Sequence, residues 1–337
     1  MKTRQDTLLN FIGTSDTQLL IPVYQRVYSW SPRQCDTLWD DAVRAGLAGN
    51  VHFIGTVLYA DDPSGDEDTR RLDVIDGQQR VVTVSLLMLA IRDFLTERSA
   101  DLDGTDATAL EGRWLRYGTQ PKVVLSRMDR ATMEALLDGT ELPEEDDLSA
   151  KVVENYQHFL DKLKKAAPDE VLALWRGLQL LLVVLAEMDS TDRPQLIFES
   201  LNAKGMPLTT ADLVRNLLLV NASLEEQERL YARYWEPVEK LYGDEEGSTR
   251  LNAALHGWLA VTAPRLRVRD KDQVYSAFKQ YLDTVENRSL EEILIGLKGF
   301  CETFAAKSAA EASKPKQMDW DTKRSGQLIS EKKLFGS

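Results

Sequence analysis

The strongest constraint on the fold is a change of hydrophobic period within residues 71–95, RLDVIDGQQRVVTVSLLMLAIRDFL. Leu72 and Val74 alternate with charged residues, as in a β-strand, up to Asp76 and Gly77. Beyond the glycine, apolar residues recur at helical spacing, at Val81, Val84, Leu87, Met88, Ile91 and Leu95. A strand that passes through a glycine turn into a long helix predicts an α/β fold.

Other segments support this α/β core and suggest how the chain divides. Residues 17–24 (TQLLIPVY) suit an edge strand or its exit, because they contain a proline. Residues 53–59 and 180–188 also predict strands, and the acidic, Pro- and Gly-containing connection before residue 71 indicates a hairpin. After residue 221 strand-like runs disappear and helix-capping pairs begin. The predicted units are an α/β domain over 1–221, a helical domain over 222–308 and a basic linker or tail over 309–337.

Composition excludes several functional classes. The 337 residues include 41 Lys and Arg against 54 Asp and Glu, and the net charge of −13 argues against binding nucleic acid through overall charge alone. Cys35 and Cys301 are not spaced as metal ligands. With only three histidines in the chain, a nuclease site based on paired histidines is hard to assemble. The chain shows no long apolar run and no signal-peptide core, so we expect a cytoplasmic protein that does not enter a membrane.

The sharpest candidate site is the sequence DGQQR at residues 76–80, placed where a strand ends and a helix begins. Backbone N–H groups at a helix N-terminus favour an anion, and Gly77 allows a ligand to approach the backbone closely. Arg80 could bind phosphate oxygens, and Asp76 could hold a metal ion or accept a proton. The alternative is a tight turn in which Arg80 pairs with Asp76, and spacing alone does not decide between the two.

Two further motifs carry residues of functional type. Residues 21–30 (IPVYQRVYSW) combine aromatic side chains with Gln25 and Arg26, a pattern that suits base stacking and backbone binding. Alternatively, Tyr28 and Trp30 anchor the segment in the core. Residues 198–213 predict a helix end followed by a new capped helix, with Asn202 and Lys204 at the junction. Two capped helices with a solvated lysine would explain most of this third motif, but not Asn202.

Four stretches together resemble a known family: IPVYQRVYSW, HFIGTVLY, LDVIDGQQRVVTVSLL and FESLNAKGMPLTTADLVRNLLL. They are similar, in order and spacing, to the N-terminal domain of GmrSD-type modification-dependent restriction enzymes, whose mark is the DGQQR motif. The resemblance covers residues 8 to about 220 and implies a core similar to the ParB and sulfiredoxin fold. Within the family the likeness is closest to SspE-type proteins, which restrict phage when the host's own DNA carries phosphorothioate linkages.

The resemblance implies a site that hydrolyses GTP or another nucleoside triphosphate, with Mg²⁺ as the expected metal. The implied catalytic residues are Asp76, Gln78, Gln79 and Arg80, with Asp76 also the candidate metal ligand. The implied nucleotide-binding residues are Gly77, Asn202 and Lys204, although Lys204 stands where the family more often has arginine. The residues implied to sense modified DNA are Pro22, Val23, Tyr24, Gln25, Arg26, Tyr28 and Trp30.

The expected partners follow from the same resemblance. The expected partner is double-stranded DNA, phosphorothioated in the favoured interpretation. Its binding would license a nuclease domain, either in the same polypeptide (in cis) or in a separate one (in trans). Family members continue into a His-Asn-His nuclease that this sequence does not show, so we expect no DNA cutting by this polypeptide and either a longer parent chain or a separate sensor subunit. A second copy of the chain is a further candidate partner. The alternatives are a module that binds nucleotide or DNA without turnover, a sensor of glucosylated hydroxymethylcytosine, and an assembly protein.

Overall fold

A computed structural model describes residues 1–62, 69–189, 192, 209–220, 222–243, 245–266, 268, 273–285 and 288–312. The strands are β1 Lys2–Thr7, β2 Thr17–Leu20, β3 His52–Asp61, β4 Arg70–Asp76, β5 Asp101–Leu102, β6 Thr105–Asp106, β7 Arg116–Tyr117, β8 Gln120–Pro121, β9 Val123–Val124 and β10 Leu181–Glu187. The helices of the α/β part are α1 Leu8–Ile12, α2 Pro32–Ala48, α3 Gln78–Arg98, α4 Ala107–Leu110, α5 Arg127–Asp138, α6 Ala150–Lys165 and α7 Pro168–Leu178. The later helices are α8 Thr210–Leu219, α9 Leu224–Leu230, α10 Glu236–Tyr242, α11 Glu245–Thr262, α12 Val274–Thr284 and α13 Leu290–Ala312, with π-helical turns at Glu111–Leu115 and Tyr231–Trp235 and a 3₁₀ turn at Glu145–Asp147.

A six-stranded mixed sheet forms the centre of the α/β part, in the order β1-β10-β3-β4-β2-β9. The β3–β4 pair is antiparallel, which confirms the predicted hairpin, whereas β10 runs parallel to β3 and β2 parallel to β4. The predicted α/β class is therefore confirmed. The likeness to the ParB and sulfiredoxin fold stays a prediction.

The strand predicted over residues 17–24 needs correction. β2 ends at Leu20 and lies between β4 and β9, so it is not an edge strand, and all four of its residues are buried. Pro22 lies beyond the end of the strand, so its lack of an N–H group removes no hydrogen bond between strands. The two edges are formed by β9, next to β2, and by β1 on the far side. Sequence patterning missed β1 because its residues KTRQDT are polar and mostly exposed.

The main hydrophobic core lies on one face of the sheet, around α3. This helix is apolar on all sides, with Leu86, Leu87, Met88 and Leu89 fully buried, as expected for a helix surrounded by other elements. Helix α6 packs along α3, so the helix that begins at the candidate site is held by a second helix as well as by the sheet. Helices α2 and α7 pack on each other backbone to backbone, through Gly46 and Gly177.

A second hydrophobic cluster joins the later helices, α8 to α13. It also contains Val23 and Tyr24, which follow β2 in sequence, and the α8 helix, which the predicted division assigned to the first domain. The two clusters are compatible with an α/β unit and a helical unit, and the predicted boundary at residue 221 stays a prediction. In the part of the chain that the structure describes, every helix is too short or too polar to cross a membrane.

Candidate functional site at the start of helix α3

The candidate site lies where β4 turns into α3. Gly77 occupies this turn with φ +89°, a left-handed conformation that glycine adopts readily. A Cβ atom there would lie 2.9 Å from the Thr56 carbonyl oxygen, so both conformation and space require glycine. No side chain caps the helix at this position. The N–H groups of the first turn therefore remain suited to an anion.

The two glutamines of the motif bind the segment that follows β2, residues 22–30, here called the 22–30 segment. Gln78 Nε2 donates to the Arg26 carbonyl oxygen at 3.1 Å. Gln79 Nε2 donates to the Val27 carbonyl oxygen at 3.3 Å, and its Oε1 accepts from the Ser29 N–H at 3.0 Å. The two motifs that the sequence placed 50 residues apart thus form one hydrogen-bonded unit.

A third glutamine completes this unit from the other side. The Gln25 side chain is 3% exposed, and its Nε2 donates to the Ile75 carbonyl oxygen at 2.7 Å. Ile75 immediately precedes Asp76, so the 22–30 segment is attached both to the end of β4 and to the first turn of α3. Movement of the segment would therefore disturb the backbone that carries Asp76 and Gly77.

Arg80 is directed toward β3 rather than toward solvent. Its Nη1 donates to the Ile54 carbonyl oxygen at 2.8 Å. Burial lowers the pKa of Arg80, and the neighbouring charge of Asp76 acts in the opposite direction. The two side chains form no direct salt bridge among the described residues, although their charges attract each other.

Asp76 is a partly buried carboxyl group. Burial raises its pKa, while the Arg80 charge and the Gly77 N–H group lower it. A carboxyl with a raised pKa in a polar turn is of the type that accepts or delivers protons in enzymes.

Two buried polar atoms of this unit have no partner among the described residues, Gln78 Oε1 and Ser29 Oγ. Buried polar atoms normally have a partner, so these two suit a bound water or ligand. No group of three or more His, Cys, Asp or Glu residues in the described chain could hold a metal ion. Because Mg²⁺ commonly binds through one or two carboxylates, waters and substrate phosphates, Asp76 alone fits a metal ion that arrives with a nucleotide.

Tyr28 is a core anchor, as one of the two interpretations of its motif held. Its hydroxyl contacts Thr83 Oγ1 at 2.8 Å and accepts from Asn155 Nδ2 at 3.0 Å, and burial raises its pKa. The Tyr28 N–H donates to Asp129 Oδ2 at 2.7 Å. Trp30 is only partly buried and packs at the edge of the same core.

The beginning of the 22–30 segment packs instead against the helical cluster. Val23 and Tyr24 are 2% and 5% exposed, and Pro22 is buried beside them. Arg215 of α8 donates to the carbonyl oxygens of Tyr24 and Gln25 at 3.2 and 3.1 Å. In this structure the apolar residues predicted to sense modified DNA therefore face helices, while Arg26 is partly exposed.

Sequence reasoning missed Asp73, in the middle of β4. Burial, with a smaller contribution from Asp62, raises the pKa of Asp73 to about 7, and its Oδ1 atom is buried without a partner among the described residues. Its charge also acts on Tyr24. In the sequence, Asp73 stands between two apolar strand residues. The alternation of the strand predicts that such a residue faces solvent, so its burial could not be read from the pattern. Asn202 and Lys204 lie outside the described residues.

Comparison with known proteins assigns the larger part of the chain to a family. The family model described as the GmrSD restriction endonuclease N-terminal domain matches residues 7–219, the part that contains the sheet apart from β1, the 76–80 turn and the 22–30 segment. A match over this share of the chain makes the protein a module of a restriction system, with DNA as its partner. The chain belongs to the GmrSD N-terminal domain family. A search of curated proteins found no match.

Proposed function

We propose that this module hydrolyses a nucleoside triphosphate, preferentially GTP, in response to phosphorothioated DNA and thereby licenses a nuclease. The observation that carries the proposal is the attachment of the 22–30 segment to the 76–80 turn by Gln25, Gln78 and Gln79. A ligand bound by the segment and a nucleotide bound at the turn would compete for, or cooperate through, the same side chains. Such coupling is what a DNA-stimulated hydrolase requires.

Each residue of the turn has a distinct task in this proposal. The uncapped first turn of α3 binds phosphate oxygens through its N–H groups, with Gly77 allowing close approach. Asp76 accepts the proton of the attacking water, and Gln78 orients that water through its unpaired Oε1. Where Mg²⁺ is bound with the nucleotide, Asp76 would hold the ion instead of accepting the proton, and the ion would neutralise charge on the phosphates.

Modification sensing is assigned to the 22–30 segment. A phosphorothioate sulfur is larger and less strongly hydrated than oxygen, so apolar walls beside a cation can prefer it. Pro22, Val23 and Tyr24 supply apolar surface, and the partly exposed Arg26 supplies the cation. Because Val23 and Tyr24 pack on the helical cluster, insertion of a DNA backbone there displaces the segment from the helices. The glutamine contacts then transmit this displacement to the turn.

The experiment measures GTP hydrolysis with Mg²⁺ against matched duplexes that are unmodified, phosphorothioated, or glucosylated at hydroxymethylcytosine. We expect only the phosphorothioated duplex to raise the rate. Asp76→Asn is expected to lower turnover about 100-fold or more and to spare DNA binding. A rate independent of all three duplexes would contradict sensing, and stimulation by the glucosylated duplex alone would reassign the modification.

A second set of variants tests the coupling. Gln25→Leu removes the bond to the Ile75 carbonyl oxygen and is expected to lower the ratio of DNA-stimulated to unstimulated rate. The matched control is Gln157→Leu, because Gln157 is exposed and its side chain donates to the neighbouring Asp161 on the same helix. Equal ratios in the two variants would contradict transmission through the 22–30 segment.

One observation favours a second candidate, a module that binds without turnover. Gln78, Gln79 and Arg80 all donate to the protein's own backbone, so the motif is explained in part as a structural brace. In that case phosphorothioated DNA binds, no phosphate is released above background, and Asp76→Asn leaves DNA affinity unchanged.

A further inference from the structure

A cavity of about 420 Å³ opens at the end of the sheet opposite to the 76–80 turn. Its walls come from residues 13–16, before β2, and from residues 112–122, before β9. Thr17 pairs with Arg70 in the parallel β2–β4 ladder, and Asp76 lies at the other end of β4. At about 3.3 Å per strand residue, the cavity and the turn are roughly 20 Å apart.

Lys122 is the unusual residue of this cavity, because it is a buried cation without an acidic partner. The residue is 3% exposed, and its Nζ atom donates to the Thr14 carbonyl oxygen and lies 5.6 Å from the centre of the Tyr117 ring. Within the described chain, no carboxylate forms a salt bridge with it. The charge of Asp16 attracts Lys122 without direct contact, and burial lowers the pKa of Lys122. A buried charge is costly unless paired, and an anion in the cavity would pair it.

Two arginines on the same wall extend the positive charge toward solvent. Arg113 is exposed, with its guanidinium 4.7 Å from the centre of the Trp114 ring, and no described carboxylate forms a salt bridge with it. Arg116 is already paired with Glu111 and Asp138. Lys122 and Arg113 are therefore the two cations available to a ligand, one deep and one at the mouth. Gly112 and Gly118 present no side chain that would fill the approach.

We propose that this cavity is a phosphate-binding site, in which Lys122 and Arg113 bind the oxygens of a phosphate group. The chemistry fits a nucleic-acid backbone phosphate and a free phosphate or nucleotide equally. The cavity lining carries three cations, Arg113, Arg116 and Lys122, against one carboxylate, Asp16, on a chain of net charge −13, where general attraction of a polyanion is weak. It goes beyond the proposed function, because neither nucleotide turnover nor recognition of a modification requires it.

The test compares Lys122→Met and Arg113→Gln with the unaltered chain and with a control, Arg44→Gln. Arg44 is also an exposed arginine, but it pairs with Asp41 far from the cavity in sequence. Binding of an unmodified fluorescent 20-base-pair duplex is followed by anisotropy across a series of NaCl concentrations. If the phosphate comes from DNA, each cavity variant lowers the slope of log affinity against log salt by about one, and the control does not.

Thermal unfolding in increasing inorganic phosphate forms the second arm. If the source is free phosphate, the unaltered chain and the control are stabilised by phosphate and both cavity variants lose that stabilisation while keeping the salt slope. Either pattern supports the site. An unchanged salt slope together with unchanged phosphate stabilisation in both variants would overturn it. Arg113→Gln alters an exposed side chain, so the test survives if Lys122→Met fails to fold, and the phosphate arm is independent of nucleotide hydrolysis.

Discussion

The backbone of Gly55 lies directly against the guanidinium group of Arg80. A Cβ atom at Gly55 would be 2.1 Å from Arg80 Nη1, and the residue has φ +117°. The Arg80 side chain reaches this place to donate to the carbonyl oxygen of the preceding residue, Ile54. Gly55 in β3 and Gly77 in the turn therefore both leave room for the candidate site, one for its arginine and one for its backbone.

Gly55→Ala is accordingly expected to displace Arg80 and, if the proposed site hydrolyses a nucleotide, to lower that hydrolysis by about 100-fold, since small misplacements of catalytic groups are costly. The matched control is Gly104→Ala. Gly104 also has positive φ, at +81°, but a Cβ there meets nothing within 4 Å. Both variants carry backbone strain, and only the first touches Arg80. Similar hydrolysis rates for the two proteins would show that the position of Arg80 is unimportant.

The crossing of α2 and α7 is expected to be the most sensitive packing contact to a single methyl group. A Cβ at Gly177 would lie 1.7 Å from the Ala42 carbonyl oxygen, which is backbone and cannot rotate away. Gly177→Ala should lower the free energy of unfolding, measured in urea by circular dichroism, by about 3 kcal/mol. Gly299→Ala, where a Cβ meets nothing within 4 Å, should instead stabilise α13 by up to about 1 kcal/mol. A loss at Gly177 below about 0.5 kcal/mol would contradict the close crossing.

Asp73 is expected to make the protein less stable as pH rises from 5 to 8. Its pKa is raised to about 7 in the folded chain and is about 3.9 when unfolded, so between these values the folded state binds the extra proton. Stability should therefore fall across this window, by at most about 1.4 kcal/mol per pH unit.

Asp73→Asn should flatten this dependence, matching the unaltered protein at low pH and exceeding its stability at pH 8. Urea unfolding at a series of pH values measures the difference. Asp76 and Asp129, whose pKa values burial also raises, remain in both proteins and cancel in the comparison. Parallel pH profiles for the two proteins would mean that Asp73 is already ionised in the fold at low pH.

Arg215 is expected to be the main polar link between the helical cluster and the 22–30 segment. The residue is 3% exposed and binds Asp212 and Glu239 as well as two carbonyl oxygens of the segment. Arg215→Met removes the buried cation from Asp212 and Glu239 and a donor from each of the two carbonyl oxygens, and should cost about 3–5 kcal/mol of unfolding free energy. Arg229→Gln removes an exposed salt bridge to Glu291 and should change little. A small effect at Arg215 in thermal and urea unfolding would show that apolar packing alone holds the segment.

The elements around the candidate site could be predicted from sequence because their patterns are local. The switch of period at Gly77 predicts both β4 and α3, and the structure places that boundary at the same residues. By contrast, β1 is a strand only because it pairs with β10, 180 residues later in sequence, and its own residues carry no strand alternation. The sequence of a polar edge strand does not indicate which distant strand it pairs with.

The internal contacts of the site could not be predicted for a similar reason. The sequence marked Gln78 and Gln79 as unusual, but it could not identify their hydrogen-bond acceptors. Those acceptors are backbone carbonyl oxygens, which every residue has. The Tyr28 hydroxyl is satisfied by Asn155, 127 residues away, which no motif connects to it. Long-range polar partners depend on the assembled fold. Residue type alone therefore could not decide whether Tyr28 is a core anchor or part of a binding surface.

The glutamines hold the 22–30 segment by its main chain, and this has a consequence for how such a module can diversify. Gln78 and Gln79 bind the carbonyl oxygens of residues 26 and 27, which every amino acid possesses. The side chains at those two positions can therefore be exchanged while the brace stays intact. Related proteins can therefore differ in the surface that this segment presents, one residue at a time, while the turn behind it stays the same.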